Sequence, residues 1–434
     1  MKLVESGRNN YKVKNKAKVD RRSLPAFILL PFAFCLLALP SCSSGKVPSV
    51  SPSGEVGSGN PDDKAASPTP SNSGLSGEVK IDGSSSLFLL SDAMAEAFQK
   101  SNSSVKVTVN SSSTGAGFKK FCAGETDISN ASRPIKLEEI ELCQKGKIEY
   151  IELPISADGI VVVVNPKNKA LAPNAQDNTV AVNPQDNTIA VNPQDNTVAV
   201  NPKKKALECL KVEELKRIWA PSAQGSMKTW DQINSKFTKK PIALFGPGKD
   251  SGTYDFFTKK IIGEEGKSRT DYTTNQDDNF LVLNVAADKN AMGFFSYAYY
   301  ESNKDKLKVV AIDSGKGCIN PSPDTINDGT YQPLSRPLFI YVKKEAVSRP
   351  EVKAFVDFIL STNSKKLFSE TGYIPLPEEL AKEVQQRFAD GKVGSRFEGK
   401  ESQVGVTIKD LMTKDKKPDE KKPDEKKPDE KKPE

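Results

Sequence analysis

Three Ser- and Gly-rich turns, at residues 83–88, 112–118 and 248–254, each lead directly into an apolar pattern with helical spacing. A helix start leaves about four backbone N–H groups without intrahelical partners and carries roughly half a positive charge. Nearby hydroxyls, and glycines that let the backbone approach, make such a start suitable for binding an anion. One turn of this kind is typical of an ordinary N-cap. Three in one chain indicate an oxyanion held from several sides.

Strand and helix patterns alternate around these turns. Short apolar or alternating patterns predict strands at 79–81, 105–109, 160–164, 242–245 and 338–342, and helical spacing predicts helices at 87–100, 118–122, 212–219 and 254–262. Such alternation is typical of an α/β fold with a mainly parallel sheet. All three turns lie at strand-to-helix junctions, where open α/β sheets bind their ligands.

Composition excludes several function classes. The 434 residues include no His, which rules out Ser-His-Asp and Cys-His catalysis and His-ligated metals. The formal net charge is +7, and residues 1–41 carry eight Lys or Arg against two Asp or Glu, so the rest of the chain is close to neutral. A nucleic-acid-binding surface is therefore not expected. We predict no metal site and no cofactor.

The first residues predict export. A basic stretch ends at Arg21 and Arg22, and an apolar run from Leu24 to Leu39 follows, which is shorter than the ~20 residues of a membrane-spanning helix. The Leu-Pro-Ser-Cys sequence at 39–42 resembles a lipoprotein signal, so residues 1–41 are interpreted as a signal peptide and Cys42 as the lipidated residue. A plain secretory signal cleaved nearby is the alternative, and the choice between twin-arginine and general export stays open.

Three further segments lack the composition of a core. Residues 42–77 are rich in Ser, Gly and Pro, and we predict a flexible tether that leaves the protein anchored at the periplasmic face of the cytoplasmic membrane. Residues 175–201 hold a nine-residue repeat, which we interpret as a tolerated loop insertion rather than a partner- or metal-binding repeat. Residues 412–434 consist mostly of Lys, Pro, Asp and Glu, and this composition predicts a disordered tail. The folded core is expected at 78–411.

Four cysteines remain after the signal peptide and the anchor. An even number in an exported protein suggests disulfides, and three pairings are possible. We predict Cys122–Cys143, which closes a short loop, and Cys209–Cys318, which closes a long one.

Several segments resemble one family in consistent order. They are residues 81–86, 127–135, Trp219 with 230–233, 250–257 and 291–295. They resemble the PstS family, the phosphate-binding proteins of ABC importers, and the branch with paired cysteines found in cyanobacteria is the most similar. The resemblance extends over most of the predicted core.

The resemblance implies a two-lobed periplasmic binding protein of type II, with mainly parallel sheets and a double crossover between the lobes. Lobe one would comprise about 78–160 and 338–411, and lobe two about 161–337. The crossing strands would lie near 159–164 and 337–342. The implied function is capture of inorganic phosphate and delivery to membrane-embedded ABC importer subunits. The protein would act as a monomer and would not be an enzyme.

The resemblance also assigns site residues to this chain. The first turn would supply the hydroxyl of Ser86 and the backbone N–H of Leu87, the second the hydroxyl of Ser113. The third would supply the triplet Ser251, Gly252 and Thr253. These assignments coincide with the anion-binding turns described above.

Two positions depart from the family pattern. Where several members place an Asp that accepts a proton from hydrogen phosphate, this chain has Arg133, following Ser132. Where members often carry an Arg, it has Pro247. We interpret Arg133 and Ser132 as anion ligands, with a solvated loop Arg as the alternative for Arg133. Asp250 or Asp82 would then accept the ligand's proton, although Asp250 is equally interpretable as a helix N-cap.

Two further functions are considered beside phosphate capture. The site could bind another oxyanion, such as sulfate, arsenate or molybdate, or belong to a phosphatase-like enzyme. A third interpretation is an envelope adhesion or signalling protein that uses the repeat and the tail. Titration with phosphate, sulfate, arsenate and molybdate tests which anion binds, phosphate release from a chromogenic monoester tests the enzyme, and deletion of residues 175–201 and the tail tests the adhesion role.

Overall fold

The computed structural model describes residues 74–170, 209–396, 405 and 407–413. The predicted signal peptide, Cys42, most of the tether, the repeat at 175–201 and the tail beyond residue 413 lie outside these ranges, so those interpretations stay predictions. Within the described ranges, every helix is too short or too polar to cross a membrane.

Strands and helices alternate along the described chain. The strands are β1 Gly77–Gly83, β2 Val105–Val109, β3 Ile128–Ala131, β4 Tyr150–Val164, β5 Cys209–Lys211, β6 Ala243–Gly246, β7 Thr273–Thr274, β8 Ala291–Ser296, β9 Lys308–Asp313, β10 Cys318–Ile319, β11 Ser335–Lys343 and β12 Ile374–Pro375. The helices are α1 Phe88–Ser101, α2 Thr114–Cys122, α3 Leu137–Lys145, α4 Val212–Trp219, α5 Gly252–Phe257, α6 Asp278–Ala287, α7 Tyr297–Glu301, α8 Pro323–Asn327, α9 Pro350–Leu360, α10 Lys365–Glu370, α11 Glu378–Ala389 and α12 Ile408–Thr413. The predicted α/β fold is confirmed.

The long strand β4 organises the sheet. It is 15 residues long, all of them buried, and spans about 50 Å of extended chain. Its first part, up to Gly159, pairs antiparallel with β11, and from Ile160 it pairs antiparallel with β8. We call the strands around the first part lobe one (β1, β2, β3, β11 and β12) and those around the second part lobe two (β5 to β10). The chain therefore changes lobe within β4.

Strand pairs that involve neither β4 nor β11 are mostly parallel. In lobe one β2, β1 and β3 run parallel, and in lobe two β7, β6 and β8 do, as do β5 and β9. Antiparallel pairs arise where β4 or β11 meets a neighbour, and in the β9–β10 pair. The carboxyl ends of β1, β3 and β6 consequently point toward the zone where β4 changes partner.

An aromatic cluster fixes α5 in lobe two. The rings of Phe257 and Phe294 stack at 3.9 Å, and Trp219 packs edge-on against Phe294 at 4.9 Å. All three side chains are fully buried. Because Phe257 ends α5, this packing holds the turn at the start of the same helix in a defined position.

Both predicted disulfides are confirmed. Cys122–Cys143 joins the end of α2 to α3, and Cys209–Cys318 joins β5 to β10. Their sequence separations are 21 and 109 residues. In the chain-entropy description, the stabilisation grows with the length of the closed loop.

We expect removal of the short-loop disulfide, by Cys122→Ala with Cys143→Ala, to lower the free energy of unfolding by about 3 kcal/mol. The matched pair Cys209→Ala with Cys318→Ala should cost about 1 kcal/mol more, because it opens a longer loop. Urea unfolding followed by circular dichroism measures both. An unchanged midpoint for either pair would contradict the entropic account.

Candidate functional site

The three Ser- and Gly-rich turns meet where β4 changes partner. The N–H of Ser113 in the second turn donates to the carbonyl of Gly83 in the first, at 2.9 Å. The N–H of Gly115 donates to the carbonyl of Asp250 in the third turn, also at 2.9 Å. Lobe one contributes the first two turns and lobe two the third, so the turns form a site between the lobes.

Asp82 holds the first two turns together. Its buried carboxylate accepts the N–H groups of Gly83 at 2.7 Å and Ser112 at 3.0 Å, and it forms an ion pair with Lys120. Gly83 has a φ of 139°, and a Cβ there would lie 2.2 Å from the carbonyl oxygen of Asn130. The carboxylate of Asp82 is therefore committed inside lobe one, which disfavours its predicted alternative role as acceptor of the ligand's proton.

In the first turn, Ser86 faces the third turn. Its Oγ lies 2.9 Å from Oγ1 of Thr253, and both side chains are buried. The N–H of Leu87 donates to the carbonyl of Ser84 at 3.2 Å within the turn. The structure thus brings the predicted pair Ser86 and Thr253 together, whereas the predicted backbone donor of Leu87 already has a partner.

In the second turn, Ser113 is the N-cap of α2. Its Oγ accepts the N–H of Ala116 at 3.3 Å, and its φ is 135°. A capping hydroxyl still has a proton to donate. The next residue, Thr114, is fully buried, lies 3.2 Å from the hydroxyl of Ser132 and accepts the N–H of Ser132 at 3.2 Å.

Thr114 is a site residue that the sequence analysis missed. The only sequence signal is a hydroxyl residue at the start of α2 in a Ser- and Gly-rich turn, and Ser113 has that signal equally. Helix geometry decides between them, because the first helical residue, and not the N-cap, turns its side chain toward Ser132.

The third turn approaches lobe one very closely at Gly252. A Cβ on Gly252 would lie 2.5 Å from the Oγ of Ser132 and 2.8 Å from Oγ1 of Thr114. Ser251 is the N-cap of α5 and accepts the N–H groups of Thr253 and Tyr254. The triplet predicted from the resemblance therefore lies at the junction of the lobes.

Asp250 has a different local role from the one predicted. Ser251, not Asp250, caps α5, so the N-cap interpretation of Asp250 is wrong. Asp250 has a left-handed φ of 71°, and its carbonyl accepts the N–H of Gly115. Its carboxylate is 60% exposed and lies 3.8 Å from the amine of Lys119. Its predicted contact with a ligand proton stays a prediction.

Arg133 is a buried ion-pair residue. Its guanidinium donates to both carboxylate oxygens of Glu139 at 2.8 Å and to Asp255 of α5 at 2.8 Å. With 2% exposure it is not the solvated loop residue considered above, and that alternative is wrong. Burial opposes its charged form, but Glu139 and Asp255 outweigh burial and raise the pKa of Arg133. The group is therefore a permanent cation.

Lys136 extends the same connection between the lobes. Its amine lies 2.7 Å from Asp255 and 2.5 Å from Glu265. Arg133 and Lys136 thus both bind the carboxylate of Asp255 from lobe one. Whether Arg133 also binds the anion, as predicted, remains a prediction.

A second arginine, Arg336, lies directly behind the hydroxyls. Its Nη2 donates to Thr253 Oγ1 at 2.9 Å and to Ser86 Oγ at 3.3 Å, and its Nη1 donates to the carbonyl of Ser132 at 3.1 Å. Nε and Nη2 also donate to Asp158 at 2.9 and 2.7 Å. Arg336 of β11 and Asp158 of β4 are direct partners in the sheet register.

Neither Arg336 nor Asp158 was predicted from the sequence as a site residue. The pair is separated by 178 residues and belongs to no Ser- and Gly-rich turn. The signal that could have found it is a charged residue immediately before each predicted crossing strand, because a buried charge needs an opposite charge beside it.

The family comparison agrees with this architecture. Residues 67–363 match the family model described as a PBP superfamily domain. The chain is 41% identical to protein SphX of Synechococcus elongatus over 77% of this chain and 88% of that protein. It is 34% identical to the phosphate-binding protein PstS of Staphylococcus saprophyticus over 75% of this chain and 90% of that protein.

Solved structures give the same result. A possible phosphate-binding protein from Planctomyces limnophilus is 40% identical, with a TM-score of 0.50, over 73% of this chain and 99% of that chain. A putative phosphate ABC transporter substrate-binding protein from Clostridium perfringens, solved with bound phosphate, shares the fold at 22% identity and a TM-score of 0.53, over 69% of this chain and all of that chain. The chain therefore belongs to the PstS family of the PBP superfamily, in the branch that includes SphX.

Proposed function

We propose that this protein captures inorganic phosphate outside the cytoplasm and delivers it to the membrane-embedded subunits of an ABC importer. The observation that carries the proposal is the meeting of three hydroxyl-bearing turns and Arg336 between two lobes. The names of the relatives SphX and PstS support the same conclusion.

The donors suit a desolvated tetrahedral oxyanion. The hydroxyls of Ser86, Thr114, Ser132 and Thr253 are all buried, and they come from both lobes. A hydrogen bond to a charged group contributes about 1.5–3 kcal/mol. An anion that bonds to both lobes at once stabilises the closed arrangement, and separation of the lobes releases it.

The enzyme alternative has less support. The chain has no His, and the hydroxyls of Ser86 and Thr253 face Arg336, which cannot act as a general base because it keeps its proton. We therefore propose a binding protein without catalytic activity. Release of phosphate from a chromogenic monoester, with and without added divalent metal, tests this, and turnover would contradict it.

The anchoring proposal rests on the first 77 residues. We propose that Cys42 carries the lipid anchor and that a monomeric core stands off the periplasmic face of the cytoplasmic membrane on the tether. The Leu-Pro-Ser-Cys sequence and the Ser-, Gly- and Pro-rich composition support this.

The direct test of the proposed function is isothermal titration with phosphate, arsenate, sulfate and molybdate. Phosphate is expected to bind most tightly. If the wild-type protein binds sulfate or molybdate more tightly than phosphate, that anion replaces phosphate as the assigned ligand.

Removal of a site hydroxyl should weaken the anion complex. We expect Thr253→Val to reduce phosphate affinity about ten-fold or more, because one charge-assisted hydrogen bond is lost. Thr126→Val is the matched control: Thr126 is also buried, lies two residues before β3, and its hydroxyl has no hydrogen-bond partner among the described residues. Equal affinities for the two variants would place Thr253 outside the site.

A methyl group at Gly252 should prevent closure. In Gly252→Ala the Cβ would collide with Ser132 and Thr114, so we expect phosphate affinity to fall more than ten-fold while the unliganded protein keeps its melting temperature. Gly248→Ala is the control in the same turn, because its Cβ would meet nothing closer than 3.4 Å. Tight phosphate binding by Gly252→Ala would show that closure does not need this contact.

Loss of the lipidated residue should release the protein. We expect Cys42→Ser to move the protein from the membrane to the soluble fraction with unchanged phosphate affinity, because the tether separates anchor from core. Membrane sedimentation in high salt measures this. A variant that still sediments would assign the anchor to another segment.

A further inference from the structure

The disulfide between Cys122 and Cys143 joins a helix of the candidate site to its neighbour. Cys122 is the last residue of α2, and Cys143 lies in the last turn of α3. At its other end α2 begins with Thr114, whose hydroxyl lies 3.2 Å from the hydroxyl of Ser132. The disulfide is therefore a covalent link from a helix that carries a site hydroxyl to α3.

The helix α3 has little other attachment to lobe one. Of its nine residues, all of which the structure describes, only Cys143 is buried, and Ile140 packs partly buried against the core. Leu137 is 55% exposed. Isolated helices shorter than about 12 residues are marginal in water. Just after α3, a Cβ on Gly146 would lie 2.0 Å from the carbonyl oxygen of Cys122. The position of α3 thus depends mainly on its contacts at the disulfide.

The helix α3 holds the carboxylate of Glu139 in place. Glu139 lies one turn before Cys143, and its carbonyl oxygen is 3.5 Å from the sulfur of Cys122. Its carboxylate accepts hydrogen bonds from Nη1 and Nη2 of Arg133, both at 2.8 Å, and from the N–H of Lys136 at 2.9 Å. A bidentate pair of this kind fixes the plane of the guanidinium. A shift of α3 would therefore reorient Arg133.

Arg133 carries the connection into lobe two. Its guanidinium lies 5.8 Å from the ring of Phe118 in α2, and its Nε donates to Asp255 at 2.8 Å. Asp255 lies one turn after Gly252 in α5. A Cβ on Gly252 would lie 2.5 Å from the Oγ of Ser132 and 3.1 Å from the Cγ of Arg133. The orientation of Arg133 therefore influences how closely α5 approaches the hydroxyl of Ser132.

We propose that the Cys122–Cys143 disulfide positions the anion site, because it holds Glu139 and Glu139 fixes the guanidinium of Arg133. Without the disulfide α3 is free to shift, Arg133 loses a fixed partner, and the closed arrangement of the lobes becomes less populated. The inference rests on the proposed function, since phosphate affinity is its readout. It gives the short-loop disulfide a role beyond stability.

The other disulfide provides a matched control. Cys209–Cys318 joins β5 to β10, and neither strand holds a site residue. Its removal opens the longer loop, so the variant Cys209→Ala with Cys318→Ala should lose more stability than Cys122→Ala with Cys143→Ala. A purely structural role predicts that affinity falls in the same order. The positioning role predicts the opposite order.

The first test is isothermal titration of both double variants with phosphate, beside urea unfolding of the same samples. We expect Cys122→Ala with Cys143→Ala to bind phosphate about five-fold or more weakly than the wild type. The loss should appear as a faster dissociation of phosphate, measured by its release into an excess of a fluorescent phosphate sensor. Cys209→Ala with Cys318→Ala should keep the affinity and the dissociation rate of the wild type.

The second test follows the connection through α3. Glu139→Gln keeps the shape of the side chain but removes its charge, so it should weaken phosphate binding to a similar extent. Glu138→Gln is the control, because Glu138 is exposed in the same turn. When Glu139→Gln is combined with Cys122→Ala and Cys143→Ala, the loss of affinity should not exceed the larger of the separate losses. Unrelated effects would add.

The outcomes separate this inference from the proposed function. If the wild type binds phosphate and the variant without Cys122–Cys143 binds it equally or more tightly, the positioning role is overturned and the proposed function stands. Equal losses for both disulfide variants, or additive losses with Glu139→Gln, overturn it as well. If the wild type does not bind phosphate, both fail. Should the variant without Cys122–Cys143 not fold, equal affinities of Glu139→Gln and Glu138→Gln overturn the inference.

Discussion

The buried ion pair between Arg336 and Asp158 is the interaction on which the site depends. It joins the two crossing strands at the point where β4 leaves β11 for β8. Both side chains are almost fully buried, so neither charge is tolerable without the other. Loss of one partner of such a pair typically costs about 3–5 kcal/mol. Nη2 of Arg336 also reaches Ser86 and Thr253, so the crossing strands and the candidate site share one guanidinium.

A second ion-pair group connects the lobes close to Gly252. Arg133 and Lys136 of lobe one both bind Asp255 of α5 in lobe two. Because Arg133 also binds Glu139, its charge is largely neutralised inside the protein. Both buried arginines near the site are therefore committed to carboxylates. In the proposed function, the affinity for the anion would then come mainly from the oriented hydroxyl dipoles rather than from the charge of either arginine.

Sequence reasoning succeeded where short-range rules apply. Helix starts, apolar runs and turn composition predicted the α/β alternation, and the three turns do meet. It failed where the outcome depends on residues far apart in the chain. Local spacing could not choose Thr114 over Ser113, because both are hydroxyl residues at the same helix start. It could not find Arg336, whose partner lies on another strand. Nor could it show that Asp250 adopts a left-handed φ and leaves the cap to Ser251.

The hydrogen bonds of Arg336 also determine which way the site hydroxyls donate. Nη2 carries two N–H groups and shares them among Asp158, Ser86 and Thr253. Both hydroxyl oxygens therefore act as acceptors toward the arginine. Only one of the two hydroxyl protons is needed for the contact between them at 2.9 Å. The other proton is free to donate to an acceptor in the site, and in the proposed function that acceptor is the anion. In the proposed function, the arginine thus acts through the hydroxyls: it occupies a lone pair on each of them and leaves a hydroxyl proton for the ligand.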